Sequence, residues 1–169
     1  MMYTAANWYW AVAGSPAQVW SSARLQFVST TDATYQAWLA AGGITTAMDS
    51  VTNLGVVMQQ QVVPLLQSAG VELQSAGTPA ISGLYAVDPI SIGQATAVAA
   101  DIANNDGLPG GGSTFTYIDA LGQHGPMSQV NFLNAYKALK NFVYECGLTL
   151  AANLAGGQAA LPSQPVAIP

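Results

Sequence analysis

Charged residues are scarce in this 169-residue chain: only 7% of its residues are Asp, Glu, Lys or Arg, against roughly 25% in an average globular protein. Three basic residues stand against eight acidic ones, which gives a formal net charge of −5. Binding of nucleic acid needs clustered Lys and Arg to neutralise phosphates, so the composition argues against a nucleic-acid partner. With 51% hydrophobic residues, the chain is also unlike an intrinsically disordered one.

Long apolar runs are absent as well. No stretch reaches the roughly 18 apolar residues that a membrane-spanning helix requires, so we expect no membrane span. The first residues, Met1 to Thr4, contain no basic stretch that leads into an apolar one, and we expect no secretory signal. The length fits one compact domain, or one domain with a small satellite module.

Cysteine and histidine each occur once, as Cys146 and His124. A single thiol excludes an internal disulfide and a multi-thiolate metal site, and a single imidazole argues against a histidine-based metal site, which normally takes three or four ligands. Asp119 is the only acid close to His124 in sequence, and no serine lies in a nucleophile-elbow pattern. We therefore predict no catalytic residue, no metal and no cofactor, a structural His124 in a hairpin turn, and a buried, inert Cys146.

Two further motifs resemble ligand-binding sites only superficially. The run Gly110 to Ser113 lacks the lysine of a phosphate-binding loop and precedes a predicted strand, not a helix, so we interpret it as a plain loop. Asp101, Asn105 and Asp106 do not have the spacing of a calcium loop.

All four tryptophans fall within residues 1–47, which we predict to be a separate module. Strand-forming residues from Asn7 to Val12 are followed by a Gly-Ser-Pro break and two more extended segments. Thr31 and Asp32 are suited to capping a short helix that ends at Gly42. The module is therefore predicted to be a small β-meander with one helix.

The remaining chain is predicted to contain a connecting helix and linker over residues 48–77 and a mainly helical domain over residues 78–169. Pro64 should kink or break the connecting helix. Asp88 followed by Pro89 predicts a helix start, and an apolar stripe predicts a long helix from about Ser128 to Leu154. With one or two β-hairpins in the last domain, the predicted fold class is α+β.

The N-terminal aromatic residues are the first set of predicted partner contacts. In an alternating strand Trp8 and Trp10 share one face, and Tyr9 takes the other. Together with Trp20 they can form a module core, a docking surface for another protein, or a platform on which sugars stack. All three interpretations remain open at this point.

The proline-rich C-terminus is the second set. Because it is too rich in proline for a helix or a central strand, we predict an extended tail, either loose or laid on a neighbouring chain. Its predicted partner-contacting residues are Pro162, Pro165, Val166 and Ile168.

From Thr78 onward the sequence resembles a domain-of-unknown-function family that is common among tail genes of tailed phages and prophages of proteobacteria. The N-terminal strand and helix resemble small modules of tail-fibre and tail-fibre-assembly proteins. The Gly125-Pro126-Met127 run departs from the pattern, which is more strand-like there, so we expect a short or irregular second hairpin arm. The segments that carry the resemblance are Thr78-Pro79-Ala80, Gly83 to Pro89, Gly107 to Gly111, Asp119 to Gly122 with His124, the helix with Phe132, Ala135, Ala138 and Tyr144, Leu161-Pro162 and Pro165 to Ile168.

The resemblance implies a non-enzymatic structural protein of the phage virion, located at the tail, baseplate or fibre attachment and made in the host cytoplasm. Its implied partners are other tail and fibre proteins and further copies of itself, with a trimer expected by analogy with fibres. Two alternatives are a tail-fibre assembly chaperone and a receptor- or glycan-binding module.

Overall fold

The computed structural model describes residues 8–119 and 121–169, with the side chain of Leu66 excepted. The predicted strand start at Asn7, Met1 to Thr4, and Ala120 of the predicted turn lie outside the described residues. Five α-helices are described: α1 Ala33–Ala40, α2 Val51–Val57, α3 Val63–Ala69, α4 Pro89–Ala103 and α5 Gln129–Leu154. Nine strands are described: β1 Tyr9–Val12, β2 Gln18–Ser21, β3 Gln26–Ser29, β4 Thr46–Met48, β5 Val71–Ser75, β6 Gly83–Tyr85, β7 Thr114–Asp119, β8 Gly122–Ser128 and β9 Val166–Ile168.

The described chain divides into two compact units, and neither is continuous in sequence. The first unit contains residues 8–66 and Glu145–Leu161, and the second contains Gln67–Tyr144 and Pro162–Pro169. The predicted boundaries at residues 47 and 77 are therefore not those of the structure. The connecting helix belongs with the N-terminal strands, and the chain returns to them after residue 144.

The first unit is built on a four-stranded sheet in the order β3-β2-β1-β4. The predicted meander forms its three antiparallel strands, and β4 adds to β1 in parallel. Helix α1 begins where predicted, because the Asp32 carboxylate accepts hydrogen bonds from the amides of Thr34 and Tyr35. Arg24 also pairs with Asp32 at 2.9 Å. That hydrogen bond, followed by the one from the Tyr35 amide, lowers the pKa of Asp32.

The helical segment after Ser50 is irregular just before the predicted kink or break at Pro64, and it continues through Pro64 to Ala69. The segment between α2 and α3, Met58–Val62, is a π turn in which the Val63 amide donates to the Met58 carbonyl. A proline ring crowds the carbonyl four residues before it. A wider turn directly ahead of Pro64 relieves that crowding without ending the helix.

The second unit combines a three-stranded sheet, order β6-β5-β9, with the β7-β8 hairpin, α4 and the first part of α5. Helix α4 begins at Pro89 with Asp88 as its cap, as predicted. The second hairpin arm is a full seven-residue strand, and its irregularity is a register shift between Thr116 and Ile118. The expectation of a short arm was wrong, and that of an irregular one was right.

The α+β class predicted from the sequence is confirmed, because helices and strands both make up a large part of the chain. The predicted order, a β-meander followed by a mainly helical domain, fits only loosely because strands occur along the whole chain. Within the described residues no helix has the length and apolar character needed to cross a bilayer.

Candidate functional site

The aromatic residues of β1 point to opposite faces of the first sheet, as the strand alternation predicted. The ring of Tyr9 lies 4.9 Å from the rings of Tyr35 and Trp38, both on α1. Trp10 pairs across the sheet with Trp20 on the other face. Trp8 shares that second face, and its ring meets that of Trp10 edge-to-face at 6.2 Å.

Most of the N-terminal residues predicted as partner contacts are core residues in the structure. Trp20 has no exposed surface: its indole N–H donates to the Met58 sulfur at 3.0 Å, and its ring meets that of Phe27 at 5.1 Å. Tyr9 and Trp10 are also buried. The prediction that Tyr9, Trp10 and Trp20 contact a partner is therefore wrong. Helix α1 covers one face of the sheet, and the helical segment with Met58 covers the other. Trp8, which is 39% exposed, still has surface available to a partner.

An open groove of about 360 Å³ lies beside Trp8 in the first unit. Strand β4 forms one wall with Ile44, Thr46 and Met48, whose alternate spacing places them on one face of the strand. Ile44 is 86% exposed. None of the described lining residues carries a charge. The full lining is Trp8, Tyr9, Trp10, Trp38, Ile44, Thr46, Met48, Val57 and Gln61.

The sequence alone indicated the tryptophans of this groove but not its other wall. Residues 44–48 follow a double glycine and are too short a run to predict a strand. Gly43 itself allows the close approach, because a Cβ there would overlap the Trp38 ring. The alternate spacing of Ile44, Thr46 and Met48 was nevertheless a weak indication of an extended segment.

The C-terminal tail is neither loose nor exposed as a whole. Val166 and Ile168 belong to β9, which pairs in parallel with β5. The Glu72 amide donates to Gln164 Oε1 at 3.0 Å, and the Ser75 hydroxyl donates to the main-chain oxygen of Pro169 at 2.9 Å. The partner of this extended segment is therefore the chain's own sheet.

The individual tail residues differ in what they leave exposed. Ile168 is buried and cannot contact a partner in this conformation. Val166 and Pro162 are half-buried, whereas Pro165, which follows a cis peptide bond, is exposed. Pro162, Pro165 and Val166 therefore keep surface for a partner contact, and the prediction for Ile168 is corrected.

His124 and Asp119 come together at the β7-β8 hairpin, with 3.4 Å between Nε2 and Oδ2. The Asp119 carboxylate also accepts hydrogen bonds from the amides of Ala86 and Leu121, each at 2.8 Å. The imidazole stacks on the Tyr85 ring at a centroid distance of 3.7 Å. The described partners of this pair are thus main-chain amides and the rings of Tyr85 and Tyr117, which is the arrangement of a structural clamp on the hairpin.

The aromatic core beside this clamp has no room for a substrate. A cavity lined by Tyr85, Tyr117 and Phe132 measures only about 10 Å³, which is at most the space of one water molecule. Burial, with the Asp119 charge as the next cause, raises the pKa of Tyr117 to about 12 and raises that of Tyr85 as well. Both phenols remain neutral at physiological pH.

The remaining candidate residues do not assemble into a chemical site. Burial raises the pKa of the Cys146 thiol to about 11, so the thiol is protonated at neutral pH and a poor nucleophile. Within residues 8–119 and 121–169, no group of three or more His, Cys, Asp or Glu side chains is placed to hold a metal ion. The glycine-rich run forms a 3-10 turn that leads into β7, as expected of a loop.

Comparison with known proteins adds no relative: no family model, no curated protein and no solved structure matches this chain.

Proposed function

We propose that this chain is a non-enzymatic structural protein of a tailed-phage virion, located at the tail, baseplate or fibre attachment. It acts through contacts with other tail and fibre proteins and with further copies of itself, as a trimer by analogy with fibres. The family resemblance of residues 78–169 supports the phage assignment, and one feature of α5 supports the mode of action.

Within the second unit, helix α5 carries exposed apolar residues on the side opposite its buried face. Phe132, Ala135, Leu139 and Phe142 face the core and are buried. On the other side Val130, Leu133 and Tyr144 lie within one narrow arc of the helix and are 66%, 37% and 65% exposed, respectively. A surface helix of a monomer normally carries polar residues on its outer face. Large exposed apolar side chains bordered by polar ones are typical of a helix that packs against a partner.

The two lysines of the chain lie on this same outer face, at positions 137 and 140. The Lys140 ammonium is 5.4 Å from the centre of the Tyr136 ring, a cation–π contact that holds its stem along the helix. An acidic partner surface matches these two positive charges. The net charge of the chain is −5, so another copy, or an acidic tail protein, has suitable charge.

Particle composition and oligomeric state test this proposal together. We expect mass spectrometry of purified particles to contain the chain in stoichiometric amounts, and sedimentation of the purified protein to show an oligomer. Val130→Glu and Tyr144→Glu should dissociate it, whereas Gln94→Glu, which adds the same charge at an exposed position of α4, should not.

Two outcomes contradict the proposal. A chain that binds a fibre but is missing from finished particles is an assembly chaperone. A protein that is monomeric at every concentration and unaffected by the two α5 variants does not use this helix for subunit contacts.

A further inference from the structure

The groove of the first unit combines exposed aromatic surface with unused polar groups. Trp8 is 39% exposed and presents ring surface to the groove. Trp38 lines the groove as well, but Gly43, Tyr9 and Tyr35 pack against its ring. The rest of the wall is apolar, apart from Thr46 and Gln61 and the buried Tyr9.

The two polar residues are exposed and have unused hydrogen-bonding capacity. Thr46 lies on the outermost strand of the sheet, opposite Trp10 in the strand register. Gln61 lies in the π turn, across the groove from β4. No hydrogen bond within the described residues uses the Thr46 hydroxyl or the Gln61 amide. Together they offer one hydroxyl, one amide N–H₂ and one carbonyl to a ligand.

A pyranose sugar is complementary to this arrangement. One side of its ring is a face of C–H groups, which packs on the electron-rich face of an indole. Its rim carries hydroxyl groups that both donate and accept hydrogen bonds, as the threonine hydroxyl and the glutamine amide require. The volume of about 360 Å³ is at the lower end of ligand-binding pockets and suits one or two sugar rings.

The lack of charged side chains in the described lining of the groove indicates which class of sugar can bind. A carboxylate or phosphate on a ligand needs a basic partner to offset its desolvation, and the described lining has none. We propose that this groove binds a neutral saccharide through the ring of Trp8, with Gln61 and Thr46 fixing its orientation. The inference goes beyond the structural role above, because it concerns the first unit and the proposed subunit contact concerns α5 in the second.

Titration of the whole chain with neutral disaccharides tests the proposal. Cellobiose, maltose and N,N′-diacetylchitobiose are added while tryptophan fluorescence and saturation-transfer NMR are recorded, and a glycan array extends the search. We expect saturable binding to at least one neutral glycan. Trp8→Ala should weaken it about tenfold, which is the loss of one aromatic stacking contact, and Gln61→Ala should weaken it roughly fivefold.

Two further variants separate ligand binding from folding. Trp8→Tyr keeps an aromatic face and should retain most of the affinity. Tyr144→Ala removes an exposed aromatic residue outside the groove and should leave sugar binding unchanged, even though the preceding proposal expects it to weaken self-association.

Three results would overturn the inference. One is the absence of saturable binding to any neutral glycan by folded protein. Another is binding that survives both Trp8→Ala and Gln61→Ala, and the third is binding restricted to anionic sugars. None of these results bears on particle composition or on the α5 variants, so each proposal can fail alone.

Discussion

The side-chain amide of Asn153 donates a hydrogen bond of 2.8 Å to the main-chain oxygen of Leu25, although 128 positions separate the two residues. Asn153 is completely buried. The same amide group donates to the Ala159 carbonyl at 2.8 Å, and its oxygen accepts from the Ala159 amide at 2.7 Å. One side chain therefore fixes the end of α5 and the loop after it to the edge of the first sheet.

Removal of this side chain should destabilise the protein strongly. Asn153→Ala leaves the buried Leu25 carbonyl without its partner and removes two hydrogen bonds to the main chain of Ala159. We expect a cost of about 2–3 kcal/mol in the free energy of unfolding. Chemical denaturation measures the loss. Asn141→Ala, at an exposed position of the same helix, is the control and should change little. Equal effects of the two variants would contradict the assigned role.

Substitutions at Trp20 and Trp8 should separate the core from the surface. Trp20→Ala removes a fully buried indole and should cost about 3–5 kcal/mol. Trp8→Ala should cost about 1 kcal/mol or less, since its ring is partly in water. Thermal unfolding of both variants provides the comparison. If Trp20→Ala kept full stability, its placement in the core would be wrong.

Two glycines should respond to alanine in opposite ways. A Cβ at Gly125 would overlap the main-chain oxygen of Ala80, so Gly125→Ala must displace the hairpin, at a cost of about 1–3 kcal/mol. Gly147, on α5, has no neighbouring atom within 4 Å of such a Cβ. Gly147→Ala should therefore stabilise the helix by about 0.5–1 kcal/mol. The denaturation midpoints of the two variants show whether each substitution destabilises or stabilises the protein.

Acid should remove part of the stability that Asp88 provides. The Ser91 hydroxyl, and then the amides of Ser91 and Ile90, lower the pKa of Asp88 below its ordinary 3.8. A carboxylate with a lowered pKa stabilises the folded state above the ordinary value, and that contribution is lost as the pH falls through the folded one.

Asp88→Ala should accordingly cost about 1 kcal/mol at neutral pH through loss of the helix cap. The difference from the wild type should shrink as the pH falls below about 3.8 and through the lower folded pKa of Asp88, where the wild-type cap also becomes protonated. Thermal unfolding over a pH series measures the gap. Asp88→Asn keeps the cap without a titrating group and should show a flatter pH profile. If the stability difference between Asp88→Ala and the wild type grew at low pH, the assigned effect of Asp88 protonation would be wrong.

The C-terminal strand should matter for stability even without a partner. Ile168 is 5% exposed in β9, and Ile168→Ala should cost about 2 kcal/mol or more. Ala167→Ser, at the neighbouring exposed position, is the matched control. If both variants unfolded like the wild type, pairing of this strand with β5 would not contribute to the second unit in solution.

Local signals in the sequence were sufficient for much of the secondary structure. Asp32 and the Asp88-Pro89 pair marked helix starts correctly, because a cap is a contact between near neighbours. The stripe of α5 was long enough to show its period, and its observed start at Gln129 lies one residue from the predicted one. The alternation of Trp8, Tyr9 and Trp10 also gave the correct faces of β1.

Relations between distant residues were beyond that reasoning. The pairing of β9 with β5 joins segments about 90 residues apart. The three residues of β9 lie between two prolines, and their sequence does not indicate which strand they pair with. Burial of Trp20 depends on Met58 of the π turn, which the pattern of the helix does not reveal. For the same reason the groove was only half predicted, as its tryptophans come from one local segment and its β4 wall pairs with β1 across more than thirty residues.

The interleaving of the two units has a consequence for biosynthesis. The first unit needs Asn153 and Gln158 against β3, and the second needs Ile168 beside β5. A ribosome makes these residues long after the strands that they contact, so neither unit can finish folding while its own N-terminal portion emerges. The first unit can therefore mature only after translation has passed residue 158, and the second only after residue 168. Until then the emerging chain exposes unpaired sheet edges.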